Sequence, residues 1–158
     1  MSKSNKLTRL FKVAEIELVY RSNIKAQDRP LITNSFQAYE ILRDTWDYNK
    51  IELLEQFKIM LLDRKNSCLG ITEIANGGLD ACPIDPRLIY VTALKANACA
   101  IVLAHNHPSG NLRESKADIE LTHRIMQAGD LLGIRVLDHL IITADGYTSL
   151  SDKSLIPM

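Results

Sequence analysis

Two histidines, a serine and an aspartate fall within fourteen residues of this chain: His105, His107, Ser115 and Asp118. Imidazole nitrogen and carboxylate oxygen both ligate zinc, the nitrogen at about 2.0–2.1 Å in a tetrahedral arrangement. Residues 99–104 ahead of them (Cys-Ala-Ile-Val-Leu-Ala) form a short, nearly all-apolar run that reads as a central strand. Residues two apart on a strand point to the same side, so a strand extended to His107 projects both rings together. Pro108-Ser109-Gly110 then forces a turn. The chain returns into a helix near Ser115, which lets Asp118 swing back as a third, oxygen ligand. Three protein ligands with one open corner is the pattern of a catalytic zinc site, at which bound water titrates near about 7 instead of about 15.7.

A plainer account competes for part of this set. Ser115-Lys116-Ala117-Asp118 is also a capping box, with the serine at the N-cap and the acid at the third helical position. Taken alone, the four residues read as a helix start. The two roles compete for the Asp118 carboxylate.

The surrounding pattern supplies the elements that must position these groups. Residues 14–20 alternate as a strand, with Ile16, Leu18 and Tyr20 on one face. Residues 22–33 read as a loop. A helix opened by Thr33, Asn34 or Ser35 carries Phe36, Tyr39, Leu42 and Trp46 at helical spacing. Residues 57–62 form a buried strand, 63–67 supply turn residues, and 68–74 return as a hairpin partner. Asp85-Pro86 caps a helix running to about Asn97, with Leu88, Val91, Leu94 and Lys95 along it. Residues 116–132 form an amphipathic helix ended near Gly133. A strand at 136–143, the turn Asp145-Gly146 and a short strand at 147–150 complete the chain. These elements predict an α/β fold: a single layered domain, a mixed β-sheet flanked by helices on both faces.

Composition narrows the class. The chain has 158 residues, 46% apolar and 24% charged, with a formal net charge of zero. No apolar run reaches eighteen residues, so no membrane span is expected. The basic start (Lys3, Lys6, Arg9, Lys12) lacks the apolar stretch of a secretory signal. It reads as a solvated, flexible tail over residues 1–12 preceding one domain over 13–158. Cys68, Cys82 and Cys99 are widely spaced and form no CxxC pair. They indicate reduced thiols and a cytoplasmic setting. Zero net charge argues against a protein held to DNA chiefly through phosphates.

The run His105-Asn106-His107-Pro108, six residues, then Ser115-Lys116-Ala117-Asp118 resembles the JAMM (MPN+, JAB) metalloprotease motif. His-Asn-His-Pro-Ser-Gly, the downstream Leu137-Asp138-His139-Leu140-Ile141-Ile142, and Asp85-Pro86-Arg87 before an alanine-bearing helix resemble the RadC subtype. The likeness covers roughly residues 13–152 and points to the short, stand-alone form without an N-terminal helix-hairpin-helix region. Gly77-Gly78-Leu79 and Pro86-Arg87-Leu88 depart from the Gly-Thr-Leu and Pro-Arg-Glu common in that family, which bears on the substrate groove and not on the metal motif.

The resemblance implies a JAB/MPN, cytidine-deaminase-like architecture. It implies a zinc-dependent metallopeptidase or isopeptidase with one catalytic Zn2+ on His105, His107 and Asp118, acting on a peptide or protein substrate. It further implies a glutamate general base on the strand beside the metal. Leu54-Glu55-Gln56-Phe57 is the matching stretch, which makes Glu55 the candidate and Glu52 the competitor. Ser115 would then assist the developing oxyanion. Two other readings stand beside this one: a DNA repair or mobile-element-associated (anti-restriction) factor, and a metal-stabilised binding module without catalysis. A zinc deaminase is excluded, because its His-x-Glu and Pro-Cys-x-x-Cys signatures are missing. Outside the motif, His123 reads as a surface residue, Cys99 as core packing and Gly77-Gly78 as a flexible loop. Asp138 and His139, adjacent on a strand, face opposite sides, and one of them reaches toward the metal or is satisfied within the strand.

Overall fold

Asn34 sets the first helix in motion. Its backbone is extended, and its side chain accepts the amide of Gln37 at 2.9 Å, satisfying one of the donors that a helix start leaves open. In the computed structural model, which describes residues 24–77 and 84–156, helix α1 spans Ser35–Arg43. Strand β1 (Gln56–Leu62) and strand β2 (Cys68–Asn76) follow as the expected hairpin. Asp63 closes it by accepting the amides of Lys65 and Ser67 at 2.8 and 3.0 Å. Then come α2 (Pro86–Lys95), β3 (Ala100–Asn106), α3 (Lys116–Leu132), β4 (Arg135–Ile142) and β5 (Tyr147–Ser149). The expected strand at 14–20, the basic segment 1–12, Gly78 and Cys82 lie outside the described residues.

The five strands form one mixed sheet in the order β2-β1-β3-β4-β5. Only β3 and β4 run parallel, and the long connection between them is α3, as a parallel crossover requires. Strand β3 is central and buried on both faces, which is why its sequence is apolar without alternation. Ala100, Val102 and Ala104 meet the core under α1, with Tyr39, Leu42 and Trp46. Ile101 and Leu103 meet the opposite core, with Ile89, Tyr90 and Ala93 of α2 and Ile125 of α3. Each aliphatic side chain so buried is worth about 1.5–3 kcal/mol.

Four expectations shift. Phe36 is half exposed while Tyr39 and Leu42 are buried. Trp46 joins that core from just beyond the helix, because α1 ends at Arg43. Helix α2 buries Ile89, Tyr90 and Ala93, leaving Leu88, Val91 and Leu94 more than half exposed. Apolar residues recur at helical spacing on both sides of α2, so periodicity did not decide which side packs. The same helix stops at Lys95, two residues early, and Asn97 turns away at φ 54°. Helix α3 ends as expected on Gly133, at φ 67°. Its Gly129 lets α2 approach, since a Cβ there would sit 2.3 Å from the Ile134 carbonyl oxygen and 2.6 Å from the Tyr90 hydroxyl.

Candidate metal centre

The candidate site lies where β3 ends and α3 begins. The β3–β4 ladder continues one step past the strand, with the His107 amide donating to the Ile142 carbonyl at 3.0 Å. This keeps His105 and His107 in extended alternation, both on the face of Leu103 and Ile101. Pro108 follows, and the turn closes with the Gly110 amide on the His107 carbonyl at 3.0 Å. Gly110 sits at φ 75°, a conformation that costs a residue with a Cβ. The chain then enters α3 through Ser115.

The rival roles of Asp118 prove compatible. Ser115 is the N-cap: its hydroxyl accepts the Asp118 amide at 3.1 Å, and its own amide donates to Asp118 Oδ2 at 2.7 Å. The other carboxylate oxygen, Oδ1, stands 3.3 Å from His105 Nε2. His105 Nε2 and His107 Nε2 are 2.9 Å apart, and His107 Nε2 is 3.8 Å from Asp118 Oδ2. The three groups therefore converge within 4.8 Å. Two ligands at about 2.05 Å in tetrahedral arrangement lie about 3.3 Å apart, so the spacings bracket what one small cation needs.

Proton placement supports the same fit. His107 Nδ1 lies 2.6 Å from the Asn111 carbonyl oxygen. A carbonyl only accepts, so the ring proton sits on Nδ1 and the Nε2 lone pair faces the cluster. Asp118 accepts the Ser115 amide and stands in the first turn of α3, and both favour its anion. A bare nitrogen and a carboxylate pressed together with a second imidazole suit a divalent cation.

Of the β4 pair weighed in the sequence, His139 is the one on the side of the cluster. Its Nε2 lies 2.8 Å from His105 Nδ1, and its Nδ1 lies 2.6 Å from the Thr122 hydroxyl. Complete burial, then the neighbouring His105, pull its pKa well below the ordinary imidazole value, so the ring is neutral. Asp138 faces the opposite core.

Glu55 stands outside the three-residue cluster. The β1–β3 register pairs Phe57 with His105, and their rings stack at 6.2 Å. Glu55 precedes β1, beyond the last pair of that register, partly buried and with its carbonyl accepting the Gly77 amide at 2.8 Å. Glu52 is exposed on the preceding turn. The segment leading to Glu55 is held by Asn106, the residue between the two histidines, whose side chain points to the other face. Asn106 donates to the carbonyls of Ile51 and Leu54 at 2.7 and 2.8 Å. It accepts the Gln56 amide at 2.7 Å and the Trp46 indole N–H at 3.1 Å.

Neither this clamp nor Thr122 was anticipated. Both had a local signal: Asn106 alternates with two inward histidines, and Thr122 lies one helical turn beyond Asp118. His123 is on the surface as expected.

Comparison with known proteins agrees with this geometry. Residues 32–155 match the RadC-like JAB domain. The chain is 43% identical over 144 residues to a UPF0758 protein of Symbiobacterium thermophilum, covering 91% of this chain and 60% of that protein. A UPF0758 protein of Alkaliphilus metalliredigens is 46% identical over 102 residues, 65% of this chain and 44% of that protein. One of Clostridium tetani is 34% identical over 151 residues, 96% and 64% respectively. An α/β layered domain with a His-His-Asp cluster at a strand end defines the class, and the chain belongs to the RadC-like JAB family. It spans about three fifths of the first of these relatives. Among the described residues no helix is long and apolar enough to cross a membrane.

Proposed function

We propose that this chain is a zinc-dependent hydrolase of peptide or isopeptide bonds. The observation that carries the reading is the convergence of His105, His107 and Asp118 with acceptor atoms turned inward. Three nitrogen and oxygen ligands leave a tetrahedral ion one open corner, although iron or manganese also tolerates such a set. The bound ion would supply Lewis-acid polarisation of the scissile carbonyl and an acidified water at neutral pH.

The chain's own residues do the rest. Glu55, on the segment that enters β1, accepts a proton from the attacking water and delivers it to the leaving amine. Ser115 uses its oxygen to accept the Asp118 amide. Its hydroxyl proton remains available to donate to the carbonyl oxygen as charge builds there, a contribution of about 3 kcal/mol. Asn106 holds the Glu55 segment against the strand that carries both histidines.

The test is elemental analysis of the purified protein beside His107→Ala, with peptide and isopeptide cleavage measured on both. One equivalent of zinc lost in the variant, together with cleavage, is the expected result. Equal zinc in both proteins would remove the reading. Metal retained without turnover, unchanged by Glu55→Gln, would favour a binding module. Salt-dependent duplex binding would favour a DNA-associated role.

A further inference from the structure

We infer that Thr122 and His139 form a tautomer lock that keeps the Nε2 lone pair of His105 turned toward the metal centre. The inference rests on the metal reading above and adds two positioning residues to it. The Thr122 hydroxyl donates to the Asp118 carbonyl oxygen at 2.6 Å. A hydroxyl has one proton, and a carbonyl has none to give. Thr122 Oγ1 therefore only accepts in its second contact, the 2.6 Å approach of His139 Nδ1. His139 carries its proton on Nδ1. Its two ring partners are a hydroxyl and an imidazole, neither of them an anion that would hold a second proton, so Nε2 is a lone pair and accepts from His105 Nδ1 at 2.8 Å. With the His105 proton on Nδ1, Nε2 is bare and faces His107 and Asp118.

Every link of this relay is shut off from solvent: Thr122 and His139 are 0% exposed and His105 2%. Water has no place from which to lend a proton and reverse the direction. The two metal-facing histidines are thus oriented differently. His107 is fixed by one carbonyl, Asn111. His105 is fixed through two intervening side chains, ending on the backbone of the very residue whose carboxylate completes the centre. A group that orients a ligating imidazole in this way typically governs about 10–100-fold in metal affinity.

The experiment uses the full chain, imidazole-labelled with 15N, as wild type, Thr122→Val and Thr122→Ser. Two quantities are read: the 15N shifts of His105 and His139 in metal-free protein, and zinc affinity by chelator competition. Wild type should show both rings protonated at Nδ1. Thr122→Val, which keeps the shape and removes the hydroxyl, should lose that pattern and bind zinc roughly 10–100-fold more weakly. Thr122→Ser should restore both. Wild-type His139 protonated at Nε2 would overturn the lock without need of a variant. Zinc affinity unchanged in Thr122→Val would overturn it as well, leaving the metal reading in place. The Nδ1 pattern in a wild type that takes up no metal would support the lock and defeat the metal reading.

Discussion

Asp138 and His139 are neighbours on β4 and meet opposite fates. The Asp138 carboxylate is enclosed by donors: the Ser149 hydroxyl at 2.6 Å, the His139 amide at 2.7 Å and the Ser151 amide at 3.0 Å. Burial raises its pKa, and these bonds only partly offset the rise. On the other face, the cluster beyond His139 presents acceptors to acceptors. A buried polar group whose partners are complete is part of the scaffold. A set of inward-facing acceptors without matching donors is a place for a cation. Both regions are polar and buried, and only the balance of donors and acceptors tells structure from site.

The largest effect should come from removing the charge that faces the histidines. Asp118→Asn keeps an oxygen for the Ser115 amide, so the helix cap survives, while the anionic ligand is gone. Zinc binding and cleavage should fall to background, with a urea midpoint close to wild type. Glu55→Gln should lower turnover by about 10²–10⁴-fold at unchanged zinc stoichiometry, as read by steady-state kinetics beside metal analysis.

On the opposite face the pattern should invert. Asp138→Ala leaves three donors unpaired and should cost about 3 kcal/mol of stability, with zinc content retained. A shift of roughly 6–12 °C in thermal midpoint would report it. Loss of zinc with no loss of stability would break the distinction between the two faces.

The smallest effect is pH-dependent. His139 has a folded-state pKa well below the ordinary 6.5. As pH falls through that value, the unfolded chain binds a proton that the fold refuses, so stability declines with acidification. The slope is limited to about 1.4 kcal/mol per pH unit. Urea midpoints of metal-free protein between pH 7.5 and 5.5 should fall in wild type, and less steeply in His139→Gln.

The His-His-Asp cluster was legible because its geometry is local. Alternation along one strand turns His105 and His107 together, and one helical turn separates Ser115 from Asp118. Glu55 rested on family likeness alone, since no local spacing ties it to the cluster, from which it stands apart. The α2 face was ambiguous because Leu88, Val91 and Leu94 are spaced as well as Ile89, Tyr90 and Ala93 for helical packing. Trp46 was assigned to a helix that stops three residues before it, yet it reaches the same core. Thr122 had the right spacing from Asp118, but its role emerges only once β4 brings His139 beside it.

Trp46 is the chain's single tryptophan, and its indole N–H ends on the amide that holds the Glu55 segment. Fluorescence from this protein is therefore an optical gauge of one specific place. A red-shifted, quenchable emission in a variant would report release of that segment while far-ultraviolet dichroism still registered an intact sheet.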